Sequence, residues 1–175
     1  VWYRSHWLHL DALNFGRTAR NRFDDPDKQY GVLYVAEDEH DAFIETFGRV
    51  TGTRVVTFST MSAYGLTRVV PDRALTLVNL ADSGGLARLG GDGRLCTGDR
   101  SVAQRWSRAL REHPARPDGL YYPARHDPAR RAAALFDHVT SYLTTVPLGP
   151  WLAPERSAML GGILDTYQFG LIQDS

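Results

Sequence analysis

"YGVLYVAEDEHDAFIETFG", residues 30–48, decides the reading of the fold. Its first part, "GVLYVAE", is a short run of β-branched and aromatic residues, the pattern of a buried strand. Four acidic residues in five positions follow: Glu37, Asp38, Glu39 and Asp41. Asp38 is placed to cap a helix, the early carboxylates suit the positive end of its dipole, and Gly48 is a natural stop. Within that helix Ala42, Phe43, Ile44 and Phe47 form the stripe that must be buried. Glu45 falls beside the stripe, at its rim. A strand, a tight acidic turn and an amphipathic helix place the chain among mixed α/β folds.

Working outward, "VWYRSHW" at 1–7 reads as an opening strand. "RVVTFST" at 54–60, "LTRVV" at 66–70 and "ALTLVNL" at 74–80 are three more strand candidates, separated by turn-forming residues. Ser83 starts a short helix through Leu89. "SVAQRWSRALREH" at 101–113 repeats apolar residues at 102, 106, 109 and 110, a helical spacing that puts Trp106 in the core. "DGLYYPARHD" at 118–127 gives a turn, a short strand and a proline stop, and "RAAALFDHVT" at 131–140 gives another buried element. Beyond residue 145 no periodicity stands out. Several strand-to-strand connections are too short for a crossover helix, so a mixed sheet in an α+β or α/β sandwich is expected rather than a doubly wound fold. The 175 residues suit a single domain, 1–175.

Composition restricts the function. Lys plus Arg equals Asp plus Glu at 20 each, so no global positive field would draw the chain to nucleic acid or an anionic membrane. At 43% hydrophobic and 11% aromatic residues, the chain can bury a core and is not expected to be disordered. The single cysteine, Cys96, excludes an intrachain disulfide and suits a reducing, cytoplasmic setting. No segment is apolar for long enough to span a bilayer. Six scattered histidines form no HExxH or comparable ligand pair, so no metal is expected. "GGDGR" at 90–94 has no following lysine and helix, and reads as a turn.

Taken one at a time, the polar residues around the opening stretch have ordinary readings. Glu45 suits a solvated helix position, Arg22 suits a surface pair with Asp24, Asp25 or Asp27, and Tyr34 divides evenly between core and site.

The blocks read differently together. "YR" at 3–4, "RF" at 22–23, "YGVLYVAEDEHDAFIET" at 30–46, "AQRWSRAL" at 103–110 and "DGLYYPARHD…ALFD" at 118–137 resemble, in order and spacing, the successive blocks of the RES domain family. That resemblance implies an ADP-ribosyltransferase-like mixed-sheet core with surrounding helices, NAD as the substrate, and the toxin role of Xre–RES toxin–antitoxin pairs. Carried over by position, it implies Glu45, Arg22 and Tyr34 as catalytic residues, and Arg4, Arg22, Tyr34 and the position of Ala124 as the NAD-binding set. The implied partners are an Xre-type antitoxin and an acceptor, either phosphate, water or a protein side chain; homodimerisation is left open. The implied activity is cleavage of the nicotinamide–ribose bond by an NAD phosphorylase or glycohydrolase. Mono-ADP-ribosylation, or NAD binding with little turnover as a partner of an antitoxin, are the alternatives.

Each implied role has a chemical rationale. Breaking the glycosidic bond of NAD passes through an oxocarbenium-like transition state, which a carboxylate beside the developing cation stabilises. Guanidinium groups present paired donors to phosphate, and a tyrosine offers an aromatic face with a polar handle. One departure stands out. The family reads "YPS" where this chain has Tyr122-Pro123-Ala124, so the serine of the family name is an alanine here. Ser101 or Tyr122 could supply a hydroxyl in its place.

Overall fold

The computed structural model describes residues 1–49, 52–82 and 84–174. Its strands are β1 (Trp2–Trp7), β2 (Val32–Ala36), β3 (Val55–Thr57), β4 (Tyr64–Pro71), β5 (Leu77–Asn79), β6 (Gly119–Pro123), β7 (Arg131–Phe136), β8 (Leu143–Pro150) and β9 (Gly170–Ile172). Its helices are α1 (Glu39–Phe47), α2 (Phe58–Ser62), α3 (Gly85–Arg88), α4 (Arg94–Thr97), α5 (Arg100–Arg111) and α6 (Ser157–Tyr167), with 3₁₀ turns at Asp137–Tyr142 and Pro154–Arg156. Seven strands form one sheet in the order β5-β6-β7-β2-β1-β4-β8, and β3 pairs with β9 in a second, two-stranded sheet. All pairings in the large sheet are antiparallel except β5 with β6, so the sheet is mixed and the fold is α+β. The parallel pair of this large sheet is joined through α3, α4 and α5, a connection long enough to cross over.

The decisive stretch folds as its pattern dictates. β2 is buried at four of its five positions and lies between β7 and β1, in the middle of the sheet. Asp38 caps α1 by accepting the Asp41 N–H, and Gly48 closes it by donating to the Ile44 carbonyl. Ala42, Phe43 and Ile44 are buried against the sheet, and Phe43 meets Trp151 edge to face at 5.7 Å. Burying side chains of this size supplies about 1.5–3 kcal/mol each, which is what fixes α1 to the sheet.

Strand alternation assigns the two faces. Tyr3 pairs with Ala36, and Tyr34, Ala36, Ala132, Ala134, Leu120 and Tyr122 share its side of the sheet. On this side lie two apolar clusters. One gathers Phe43, Met61, Trp151, Leu160 and Ile163 under α1 and α6; the other gathers Phe23, Tyr30, Leu120 and Phe136 under α5. Tyr34 and Tyr122 pack against the second cluster and Ala36 belongs to the first, so these residues mark the seam between them. The opposite face is covered by a third cluster that includes Leu33, Val35, Val69, Leu135 and Val139.

Two expectations change. "RVVTFST" is a strand only to Thr57, whose side chain accepts the Thr60 N–H and starts α2, so Phe58–Ser62 is helical. In α5 the buried residues are Ala103, Gln104, Ser107 and Leu110 rather than the stripe through Trp106; Val102 and Ala109 are exposed and Trp106 is half-buried. The reason is polar. Gln104 donates to the Ala19 and Asn21 carbonyls at 2.9 and 3.0 Å, and Ser107 donates to the Phe23 carbonyl at 2.7 Å. These bonds rotate α5 onto the 19–23 loop. Ser83 lies outside the described residues, and the short helix expected there covers Gly85–Arg88.

Beyond residue 145 the chain completes β8, then α6, whose Leu160 and Ile163 enter the first cluster, and then β9 beside β3. Among the described residues no helix is long and apolar enough to cross a membrane.

Candidate active site

Arg22 sits on a loop that the protein secures from several sides. Asp24 is fully buried and works as its anchor: Oδ2 accepts from Thr18 Oγ1, Arg20 N–H and Asn21 N–H at 2.8 to 3.1 Å. The other oxygen, Oδ1, accepts the Tyr34 hydroxyl at 2.9 Å, while that hydroxyl accepts the Phe23 N–H at 2.9 Å. Tyr34 therefore ties the loop to the middle of the sheet. Burial, and then the charge of Asp24, push the Tyr34 phenol well above its ordinary range, so it stays protonated and remains a donor.

With Asp24 engaged in this way, the expected surface pairing of Arg22 does not form. Asp27 pairs with Arg108, and Asp25 accepts the Gln29 N–H. Arg22 gives one N–H to the Gly98 carbonyl at 2.9 Å and has no carboxylate partner among the described residues. A half-buried guanidinium left without a counter-charge is a ready receptor for an anion.

Glu45 lies in the last turn of α1, half-buried, and its Oε1 accepts the His126 N–H at 2.9 Å from the loop between β6 and β7. That loop folds back on itself, with the Ala124 N–H donating to the Arg130 carbonyl at 3.1 Å. Ala124 is 2% exposed, so a larger side chain there would meet packed neighbours.

Tyr122 joins these parts. Its ring meets Phe23 edge to face at 4.8 Å. Burial holds its phenol far above the ordinary range; the charges of Glu45 and Asp41 add to this, and Arg22 opposes it. Tyr122 is also among the groups that raise Tyr34. Glu45, Arg22 and Tyr34 are thus all coupled to one tyrosine, which shares the Tyr34 face of the sheet. Ala36, Ala132 and Ala134 make the floor around it, and their short side chains leave the two tyrosines room.

Asp41 is the residue that the sequence did not single out. It precedes Glu45 by one helical turn, is fully buried, and neither carboxyl oxygen has a hydrogen-bond partner among the described residues. Burial and then the Glu45 charge raise it to about 8, so at neutral pH it is the neutral member of the pair. Their hydrogen bonding differs: Glu45 accepts a backbone N–H, and Asp41 accepts none among the described residues.

Arg4 does not join the site. Being adjacent to Tyr3, it points to the opposite face of the sheet from Tyr34 and donates to the Ala12 and Asn14 carbonyls at 2.8 and 3.2 Å. Burial lowers it to about 10, with Asp11 partly opposing. Expected in the NAD-binding set, it serves in this structure as a clamp on the loop after β1. Cys96 lies near Arg22, but burial raises its thiol, which leaves it a poor nucleophile. Ser101 is exposed at the start of α5, so among the hydroxyls considered in place of the missing serine only Tyr122 stands in this cluster. Among the described residues no group of His, Cys, Asp and Glu is arranged to hold a metal.

A mixed sheet thus carries two tyrosines on one face, together with a carboxylate and a guanidinium that has no carboxylate partner among the described residues. The RES domain model matches residues 1–151, and the chain belongs to that family. No curated protein matches the chain. α6 and β9 lie beyond the matched region yet pack on α1 and β3.

Proposed function

We propose that the protein cleaves the nicotinamide–ribose bond of NAD. The observation that carries this reading is that Glu45, braced by the His126 N–H, and Arg22, which lacks any described carboxylate partner, both act electrostatically on Tyr122. Arg22 binds a pyrophosphate oxygen or ribose oxygen through its free donors. Glu45 accepts a hydrogen bond from a ribose hydroxyl, and this bond strengthens as positive charge grows at the anomeric carbon and nicotinamide departs with the bonding electrons. Asp41, staying neutral at pH 7, adds no second negative charge beside Glu45. Tyr34 acts through the Arg22 loop, since both of its hydrogen bonds are made to that loop.

The test is Glu45→Gln. Purified protein is incubated with NAD, and nicotinamide release and the melting temperature are followed together. Near-complete loss of release from a folded variant is expected, because an amide keeps the volume and removes the charge. Full activity in that variant refutes the reading. Running the wild-type reaction with and without phosphate, and with a cell extract, identifies the acceptor: ADP-ribose indicates water, its phosphorylated form indicates phosphate, and a labelled protein indicates ADP-ribosyl transfer. An enzyme that consumes NAD needs a restraint, and an Xre-type antitoxin placing a carboxylate against Arg22 would supply one that competes with NAD.

A further inference from the structure

We propose that Tyr122 is a further substrate-contacting residue of this site, its phenol holding a ribose hydroxyl beside Glu45. The proposal rests on the function given above and deepens it. The two tyrosines of the floor differ in what their hydroxyls do. That of Tyr34 is used twice, by Phe23 and Asp24. That of Tyr122, a half-buried residue, makes no hydrogen bond among the described residues, nor is it one of the unpaired side-chain atoms sealed from solvent.

The position explains why such a hydroxyl would be kept. Tyr122 projects from β6 over the alanine floor, and the edge contact with Phe23 fixes its ring. A phenylalanine would fill that space equally well. The hydroxyl alone is unexplained by packing, and it lies where the influences of Glu45, Asp41 and Arg22 overlap. Their chemistry is complementary: ionised Glu45 only accepts, Arg22 only donates, and a phenol does both. A ribose hydroxyl that donates to Glu45 can accept from Tyr122, and the pair fixes the sugar without further charge. Because burial keeps the phenol protonated, this donor persists across the working pH range.

Tyr122→Phe tests the proposal in the intact protein. With ring packing retained, the melting temperature should stay within about two degrees of wild type. The value of kcat/KM for NAD should fall roughly tenfold, the worth of one lost hydrogen bond to substrate that improves in the transition state. A folded Tyr122→Phe protein with kcat/KM within twofold of wild type, while Glu45→Gln is inactive, overturns the assignment. Full activity in Glu45→Gln instead overturns the proposed function on which it rests. Should the phenylalanine variant melt early, wild type labelled with carbon-13 at the tyrosine ζ carbons and titrated with ADP-ribose decides the matter. A shift of the Tyr122 resonance supports the contact, and an unmoved resonance at saturating ligand refutes it.

Discussion

The Tyr34 hydroxyl donates to Asp24 Oδ1 at 2.9 Å, and through this bond a strand in the middle of the sheet controls the loop that carries Arg22. Tyr34→Phe removes one donor from a fully buried carboxylate and one acceptor from the Phe23 N–H. Leaving buried polar groups unpaired costs about 1–3 kcal/mol. A drop of several degrees in melting temperature is expected, together with a higher KM for NAD as the Arg22 loop loosens. Calorimetric melting and steady-state kinetics on the same preparation check both. An unchanged KM would show that the loop is held well enough by Thr18, Arg20 and Asn21 alone.

Arg22→Lys addresses the unpaired guanidinium itself. Lysine keeps the charge but loses the planar fork and the geometry of the bond to the Gly98 carbonyl. In a Glu45→Gln background, where NAD is not consumed, calorimetry should find NAD bound about tenfold more weakly or worse, the scale of one charge-assisted hydrogen bond. Equal affinity would remove Arg22 from the binding set.

Much of the fold around the candidate site could be read before the structure, and what escaped did so for physical reasons. β2 and α1 were legible because the apolar run, cap and stop agree within nineteen residues. The face to which Arg4 points was not, because it depends on the pairing of Tyr3 with Ala36, a contact across more than thirty positions. α5 was legible as a helix but its buried face was not, since Gln104 and Ser107 turn it by hydrogen bonding to the 19–23 loop, and apolar periodicity carries no trace of such bonds. β8 was hidden by Pro147, Gly149 and Pro150, which an edge strand tolerates and a central one would not. Asp41 reads from sequence as one more carboxylate in the first turn; only the packing around α1 reveals that it is buried and neutral.

Asp41→Asn should change how stability depends on pH. In the unfolded chain the Asp41 carboxyl ionises near its ordinary value of 3.8, whereas in the folded protein it holds its proton to about 8. Between these values the folded state binds the extra proton, so wild-type stability falls as pH rises through that window and levels off above it. Asparagine cannot titrate and removes this slope. Relative to wild type, the variant should gain on the order of 4 kcal/mol between pH 5 and pH 8, or about 8–16 °C in melting temperature. Chemical denaturation at several pH values measures it. Parallel curves for the two proteins would show that Asp41 is already ionised when folded.

Ala124→Ser is expected to raise activity, and to raise it more when Tyr122 is phenylalanine. The Ala124 N–H bond to the Arg130 carbonyl extends the pairing of β6 with β7 by one residue, which by alternation keeps the Ala124 side chain on the face of Tyr122. A serine hydroxyl there would lie near Tyr122 and two residues from the His126 N–H that braces Glu45. If Tyr122 already supplies the hydroxyl that Ala124 lacks, the serine should add about fivefold or less to NAD turnover in the wild-type background and more in Tyr122→Phe. The four proteins form a double-mutant cycle, and non-additive gains are the expected result. Strictly additive effects would mean that the two hydroxyls serve different atoms. A fall in both backgrounds would mean that the pocket has closed around alanine; melting temperatures must accompany the rates, because Ala124 is 2% exposed and an unpaired hydroxyl buried there costs about 1–3 kcal/mol.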